Sequence, residues 1–519
     1  MATVADDTVD RSKPVKKKSE RKKLYELHTW VGFHLAFIMA LVLFTGTIAT
    51  LSHEIDWLIH DDMRVTQGTE VVSWGEMERA VRAHDPDANI LSLETLGHDY
   101  FAYRASVADK FGKLNYIHVN QWTGEVTGEA NPLTVQRFFR DLHRYLFMPS
   151  VLGLPIVGSL AFILAISLYT GLKTTRNWRT VMTRVRRSKG ARVMVGDMHK
   201  AAGIWSIWFI ILIIVTGIWY LTEFGYSVAG ERMEAERPNV SAQRIEELGP
   251  VIYDRPIAEI AKVAQSSIPD MQITRIQYPV TSAQPFTVLG VRDNPLLRNR
   301  ANRVFVDPVD LSVIKSQPEE DISTVAYLNE MADPLHFGTF GGLTTKIIWF
   351  VFGLFVSGLS ITGVWLTWRR LKIKVVTKAQ VATLPVLILS MLFFSFWLER
   401  YQPTELPDHE ELLEWQTLPS GMKAQIAVTR ETSNRVDTAR LILDAQGRPN
   451  LKTIDICSGG NCAETEIRLS GRSLSVPLEL PNNELVISET IVAELNYNNG
   501  QREELSWELN SKRPFPLDK

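Results

Sequence analysis

The chain has 519 residues, 45% of them hydrophobic and 22% charged, with a formal net charge of -2. That near-neutral balance gives no reason to expect a nucleic-acid partner, and two cysteines cannot by themselves ligate an iron–sulfur cluster or a structural zinc. The apolar residues gather in runs close to bilayer-spanning length, which excludes a soluble globular enzyme and makes the lipid bilayer a partner.

Residues 1–23 read as a basic, disordered tail. A first span over 24–52 contains the apolar run Val31–Leu51, too long for a cleaved signal and carrying one ionisable side chain, His34. An external module follows over 53–150, with a helix near Gly75–Ala83, strands at Tyr100–Arg104 and Tyr116–Asn120, and a turn at Trp122–Glu125. A second span (151–172), a basic loop (173–200) and a third span (201–222) lead to a second module over 223–344. There a helix at Ile257–Gln265 precedes strands at Phe286–Leu289 and Arg303–Asp307. A fourth span (345–368), a short basic connection (369–380) and a fifth span (381–398) complete the membrane part. Residues 399–519 alternate apolar and polar positions, as in Lys423–Val428 and Leu474–Leu478, and predict a β-sandwich-like domain. The expected fold is thus a mainly α-helical membrane protein of five spans, with two small α+β modules and a C-terminal β domain.

Lys and Arg cluster in three places: Lys16–Lys23, Arg176–Arg192 and Arg369–Lys378. The positive-inside rule puts all three in the cytoplasm, so the N-terminus is expected inside and the modules and C-terminus outside, in a periplasm if the host is Gram-negative. Cys457 and Cys462 then lie on the oxidising side, where a small-loop structural disulfide is expected.

The chain also repeats itself. His28, Gly32 and Thr45-Gly46 are matched by His199, Gly203 and Thr216-Gly217, each 171 positions further on, without a gap. Leu142-His143 and Thr170-Gly171 are matched by Leu335-His336 and Thr362-Gly363, with a shift of one residue between histidine and Thr-Gly. Both copies run the same way through the membrane, so a pseudo-two-fold axis along the membrane normal is expected, bringing His28 to His199 and His143 to His336.

Two histidines facing across such an axis suit the axial positions of a haem iron, held through neutral imidazole nitrogens. The Cys-x-x-Cys-His signature is absent, so such a haem would be b-type. Two are expected. Gly32, Gly46, Gly203 and Gly217 would let a macrocycle or a neighbouring helix approach the backbone, while Arg144, Lys200 and Lys346 are candidates to pair with propionates. His34 offers an alternative ligand or proton partner, although its repeat equivalent is Trp205; His53 also lacks a mate and ranks below the four. A plainer account makes the Thr-Gly pairs helix-packing sites and the terminal tryptophans an aromatic belt.

With Leu27-His28…Gly32, Asp141-Leu142-His143-Arg144, Met198-His199-Lys200…Gly203 and Leu335-His336-Phe337-Gly338, the chain resembles the PepSY-associated transmembrane proteins over about residues 24–370. The segment Tyr116–Val126 looks like the end of a PepSY module. That resemblance implies an inner-membrane oxidoreductase with two b haems that reduces periplasmic ferric iron, such as ferric siderophores. Its electrons would come from a quinol or a cytoplasmic donor, because no flavin or nicotinamide domain is fused to it. The competing class is a non-enzymatic membrane protein whose PepSY modules bind or regulate an envelope peptidase or other partner. A transporter is disfavoured, because no span carries a broken Gly/Pro centre or buried acidic residues.

Overall fold

A computed structural model describes residues 20–86, 88–249, 256–281, 283–371, 389, 393, 410–432, 435–444, 449–458, 460–467, 474–481, 485–486 and 490–508. The expected fifth span over 381–398 therefore lies outside the described residues, apart from two isolated positions, as do the basic tail before residue 20 and the connection from 372.

In chain order the helices of the first repeat are α1 (Glu20–His34), α2 (Ala36–Thr50), α3 (Ser52–Ile59), α4 (Trp74–His84), α5 (Val135–Tyr145) and α6 (Ser150–Thr174). Those of the connection and second repeat are α7 (Trp178–Thr183), α8 (Ala191–Trp205), α9 (Ile207–Val228), α10 (Ala242–Glu247), α11 (Ile257–Ser267), α12 (Thr324–Phe337) and α13 (Gly342–Leu371). Among the described residues three helices are long and apolar enough to cross a membrane, Ser150–Thr174, Ile207–Val228 and Thr339–Arg370; a fourth crossing is available if α1 and α2 act as one bent pair. The first span, expected as one helix over 24–52, is a bent pair of helices. It bends by 67° around Leu35. The third is interrupted at Ser206, and these two interruptions are themselves 171 positions apart, so the duplication extends to helix geometry. No proline lies at either break, though Gly32 and Gly203 stand three positions before Leu35 and Ser206, and both of those residues leave the helical region with ψ near zero.

The two modules form one sheet. Strands β1 (Asn89–Glu94), β2 (Tyr103–Ala108), β3 (Leu114–Val119) and β4 (Val126–Ala130) continue into β5 (Gln272–Gln277), β6 (Phe286–Val291), β7 (Asn302–Val306) and β8 (Val313–Gln317), in the order β4-β3-β2-β1-β5-β6-β7-β8. The seam is the antiparallel β1–β5 pair, with Leu93 opposite Ile276. Helices α4 and α11 cover one face of this sheet, and a single core containing Met77, Val81, Leu93, Ile117, Ile260, Ile276, Phe286 and Val304 runs through both halves. Gly75 allows the two helices to touch, since a Cβ there would sit 3.0 Å from the Ala258 methyl. A capping box fixes the start of α4, Ser73 accepting from the Glu76 amide while Glu76 accepts from the Ser73 amide.

One sequence expectation changes here, and two strands appear that the sequence did not predict. The strand placed at Tyr100–Arg104 begins at Tyr103, because His98, Tyr100 and Phe101 form a ring cluster before it. The seam strands β1 and β5, with the irregular patterns Asn-Ile-Leu-Ser-Leu-Glu and Gln-Ile-Thr-Arg-Ile-Gln, went unrecognised although they join the two copies.

The C-terminal region is sandwich-like, as expected. Six strands, centred on Lys423–Thr432 and Arg435–Asp444, face four strands ordered Asn461–Glu466, Leu451–Ser458, Thr490–Tyr497, Arg502–Glu508. Ile426, Leu441, Ile454, Ile456, Leu495 and Trp507 fill the space between them. Cys457 and Cys462 are disulfide-bonded across a hairpin. This domain docks on the second module, where the Asn450 amide donates to the carbonyl of Ile245 at 2.7 Å.

Candidate functional site: two histidine pairs inside a duplicated bundle

The four repeat-matched histidines meet in two pairs. The ring centres of His28 and His199 are 6.4 Å apart, and those of His143 and His336 are 6.0 Å apart. His28 and His199 come from α1 and α8, the helix segments that precede the equivalent breaks. His143 and His336 lie near the ends of α5 and α12, two short helices that the hydropathy reading did not register. Each turns sharply into a span: Leu146 and Gly338, at the ends of α5 and α12, are left-handed with φ of 54° and 70°. The outer pair is therefore not simply perched ahead of the spans. His143 reaches Val42 and Gly46, about two turns inside the end of α2.

Every histidine is seated by its Nδ1 on a neighbouring helix. His28 donates to the carbonyl of Ser167 and to Thr170 Oγ1, both at 3.1 Å on α6; His199 donates to Thr362 Oγ1 at 2.8 Å on α13. His336 donates to Thr216 Oγ1 at 2.8 Å on α9, and His143 to the carbonyl of Val42 at 2.8 Å on α2. The direction of these bonds follows from their partners. A carbonyl can only accept, and each threonine already spends its one hydroxyl hydrogen on a carbonyl four residues back, Ile166, Gly358 or Leu212. All four imidazoles are consequently Nδ1–H tautomers, which leaves the lone pair on Nε2. No bond to those Nε2 atoms occurs among the described residues.

This assigns the Thr-Gly pairs a role beyond helix packing. Three of the four threonines, Thr170, Thr216 and Thr362, accept from a histidine, and three of the adjoining glycines leave room for a ring. A Cβ on Gly46 would meet His143 Cε1 at 2.6 Å, one on Gly171 would meet His28 Cε1 at 3.4 Å, and one on Gly363 would meet His199 Cε1 at 3.6 Å. Gly217 instead admits Ala161 of α6 at 3.1 Å. The signal was present in the sequence as a Thr-Gly recurring with each histidine.

A cavity of about 850 Å³ opens beside His28 and His199 at the end of the bundle away from the sheet. Gly32, Gly171, Gly196, Gly203 and Gly363 line it, and Arg21, Arg186, Arg192, Lys200 and Arg370 surround it with positive charge. Arg186 is engaged with Asp197 at 2.8 Å. Lys200 lines this cavity beside the first pair. Arg144 follows His143 and lies over the Tyr145 ring at 5.2 Å. Lys346 is committed elsewhere, 2.6 Å from Glu54. The side chain of His34 lies outside the described residues, while its backbone ends α1 at the bend.

Sequence reasoning missed what holds α12 in place. Arg298 bridges Glu330 at 2.8 Å and Asp333 at 2.7 Å, Arg300 also reaches Glu330 at 2.8 Å, and the Tyr220 hydroxyl of α9 donates to Asp333 at 2.6 Å. The Tyr220 ring in turn packs 5.2 Å from that of His336. Only the fold brings these residues, from α9, the β6–β7 connection and α12, into one network.

The family model of the PepSY-associated TM region matches residues 25–370, well over half of the chain. The chain belongs to the PepSY-associated transmembrane family. No curated protein matches it. The matched region of this PepSY-associated protein contains both histidine pairs, the joined sheet and all the described spans; the β-sandwich lies beyond it.

Each pair offers two nitrogen donors, and among the described residues no group of three or more His, Cys, Asp or Glu side chains is placed to hold a metal ion. Two donors alone make a poor cage for a bare ion. They suit a centre that brings its own equatorial donors and asks the protein for two axial ones.

Proposed function

We propose that this membrane protein is a di-haem b oxidoreductase that carries electrons across the inner membrane and reduces ferric iron, such as that of ferric siderophores, on the periplasmic side. One observation carries the reading: two symmetry-related imidazole pairs, each fixed as the Nδ1–H tautomer, at ring-centre separations of 6.4 and 6.0 Å. At those separations each pair would be close enough to offer one imidazole nitrogen from each ring to a single haem iron.

His28 and His199 would hold one haem and His143 and His336 the other. When bound, the haems supply a one-electron ferric/ferrous couple at each pair. The chain's own part is to orient four imidazoles, to raise their basicity through Nδ1–H bonds, and to shelter both sites among apolar helices. Lys200 and the arginines near the first pair can neutralise propionates, as Arg144 can near the second. The basic segments favour the first pair on the cytoplasmic side, where a membrane quinol or a cytoplasmic donor would deliver electrons. One electron converts Fe(III) to Fe(II), and hard oxygen ligands hold the lower charge less tightly, so iron is released.

The test is a pair of visible spectra, oxidised and dithionite-reduced, with a pyridine haemochrome assay on protein purified in mild detergent. Two b haems per chain, with one lost in each of His143→Ala and His199→Ala, is the expected result. Protein that stays haem-free after haem-supplemented expression would overturn the proposal and favour a non-enzymatic PepSY protein that binds an envelope peptidase or other partner.

A further inference from the structure

Strand alternation gives the joined sheet two faces. The face opposite α4 and α11 carries Ser92, Glu94, Arg104, Ser106, Tyr116, Arg275, Gln277 and Thr287, and it encloses a cavity of about 1160 Å³ against α5. Ligand sites for compact organic molecules run to roughly 300–1,000 Å³, so this space is large enough for a metal chelate.

Its charge is one-sided. Arg104, Arg137, Arg140, Arg232, Arg237 and Arg275 line it, against the carboxylates Glu94 and Asp141. Glu94 is already satisfied at the seam of the two repeats, bound by Arg104 at 2.7 Å and approached by Arg275 at 3.5 Å. Asp141 lies 3.9 Å from Arg137, and Arg237 pairs with Glu234 at 2.8 Å. Arg140 and Arg232 are exposed and make no ion pair among the described residues, and the buried Arg275 Nε has no hydrogen-bond partner. An unpartnered buried guanidinium nitrogen costs free energy unless something else accepts from it. The wall formed by α5 presents Gln136, Arg137, Arg140 and Tyr145, and the same helix carries His143.

We infer that this cavity binds an anionic ferric chelate, one whose carboxylate or catecholate oxygens leave the complex with net negative charge, and holds it against the helix that bears His143. Arginine forks match such oxygens in planar, charge-assisted pairs. That the chelate is then reduced rests on the function proposed above; the anion site itself does not.

A redox-inert probe separates the two. Gallium(III) forms chelates of the same shape as iron(III), so equilibrium binding to the full chain in neutral detergent can be measured whether or not haem is present. The trianionic gallium tris-catecholate is expected to bind at least about tenfold more tightly than a gallium trihydroxamate that carries a free ammonium. The Arg140→Gln/Arg232→Gln double variant is expected to lose about tenfold of that affinity and to show weaker salt dependence, with haem content unchanged. Equal affinity for the two chelates, or full affinity in the double variant, would overturn the inference while leaving the reductase proposal intact. Charge-selective binding by haem-free protein would do the reverse.

Discussion

The imidazole of His143 lies against the bare Cα of Gly46, so close that a Cβ there would meet its Cε1 at 2.6 Å. Gly46→Ala should therefore push the ring out of its seat and away from His336. The expected outcome is loss of one of two haems in the pyridine haemochrome assay. Gly358→Ala, on a helix of the same bundle with nothing within 4 Å, should keep both.

The threonine acceptors should act on affinity rather than on folding. Thr362→Val and Thr216→Val keep the side-chain shape but remove the oxygen that His199 or His336 donates to. Outer-shell partners of metal-bound histidines are worth about 10–100-fold in metal affinity. Haem titration of each apo variant should give a weakening in that range, and Thr→Ser at either position should restore most of it.

Glu330 is 1% exposed and accepts from both Arg298 and Arg300. Glu330→Ala removes the carboxylate that Arg298 and Arg300 share in the anchor of α12, leaving Arg298 with Asp333 and Arg300 with Glu234, so the cost should stay below the roughly 3–5 kcal/mol of breaking an isolated buried pair. Thermal unfolding in detergent should show a clearly lowered midpoint. Because α12 carries His336, haem at the His143–His336 pair should be lost before haem at the other.

His53, just beyond α2, supplies a pH dependence. Burial, then the charges of Arg104 and Lys346, pulls its pKa down from 6.5 to about 3. Below pH 6.5 the unfolded chain takes up a proton that the native one refuses, so stability should fall as pH drops from about 6.5 towards 3. The slope is at most about 1.4 kcal/mol per pH unit, and above 6.5 this group contributes none. His53→Gln should flatten the corresponding stretch of an unfolding-midpoint profile; an unchanged profile would remove His53 as its source.

The sequence by itself determined much of this protein, because periodic signals survive without coordinates. Long apolar runs revealed the membrane helices. Two cysteines five positions apart anticipated the Cys457–Cys462 bond, and alternation from Lys423 onward anticipated a sandwich. The offset of 171 paired His28 with His199, and the second match paired His143 with His336, since a duplication inserted in one orientation implies an axis between its copies.

Only the tertiary structure decided what those residues rest on. Hydropathy is blind to direction, so the 67° bend at Leu35 and the interruption at Ser206 left no mark in an apolar run. The helices α5 and α12, too short and too mixed in polarity to stand out as spans, hid the fact that His143 and His336 turn back into the bundle. Helix packing explained Thr-Gly until three of the four threonines had a histidine partner, and that partner lies more than a hundred residues away, as in His28 with Thr170 or His336 with Thr216. The β1–β5 seam was equally hidden, because the pairing of Leu93 with Ile276 is a property of neither strand alone. Contacts between distant segments are set by how the two copies pack together, and local sequence carries no record of that.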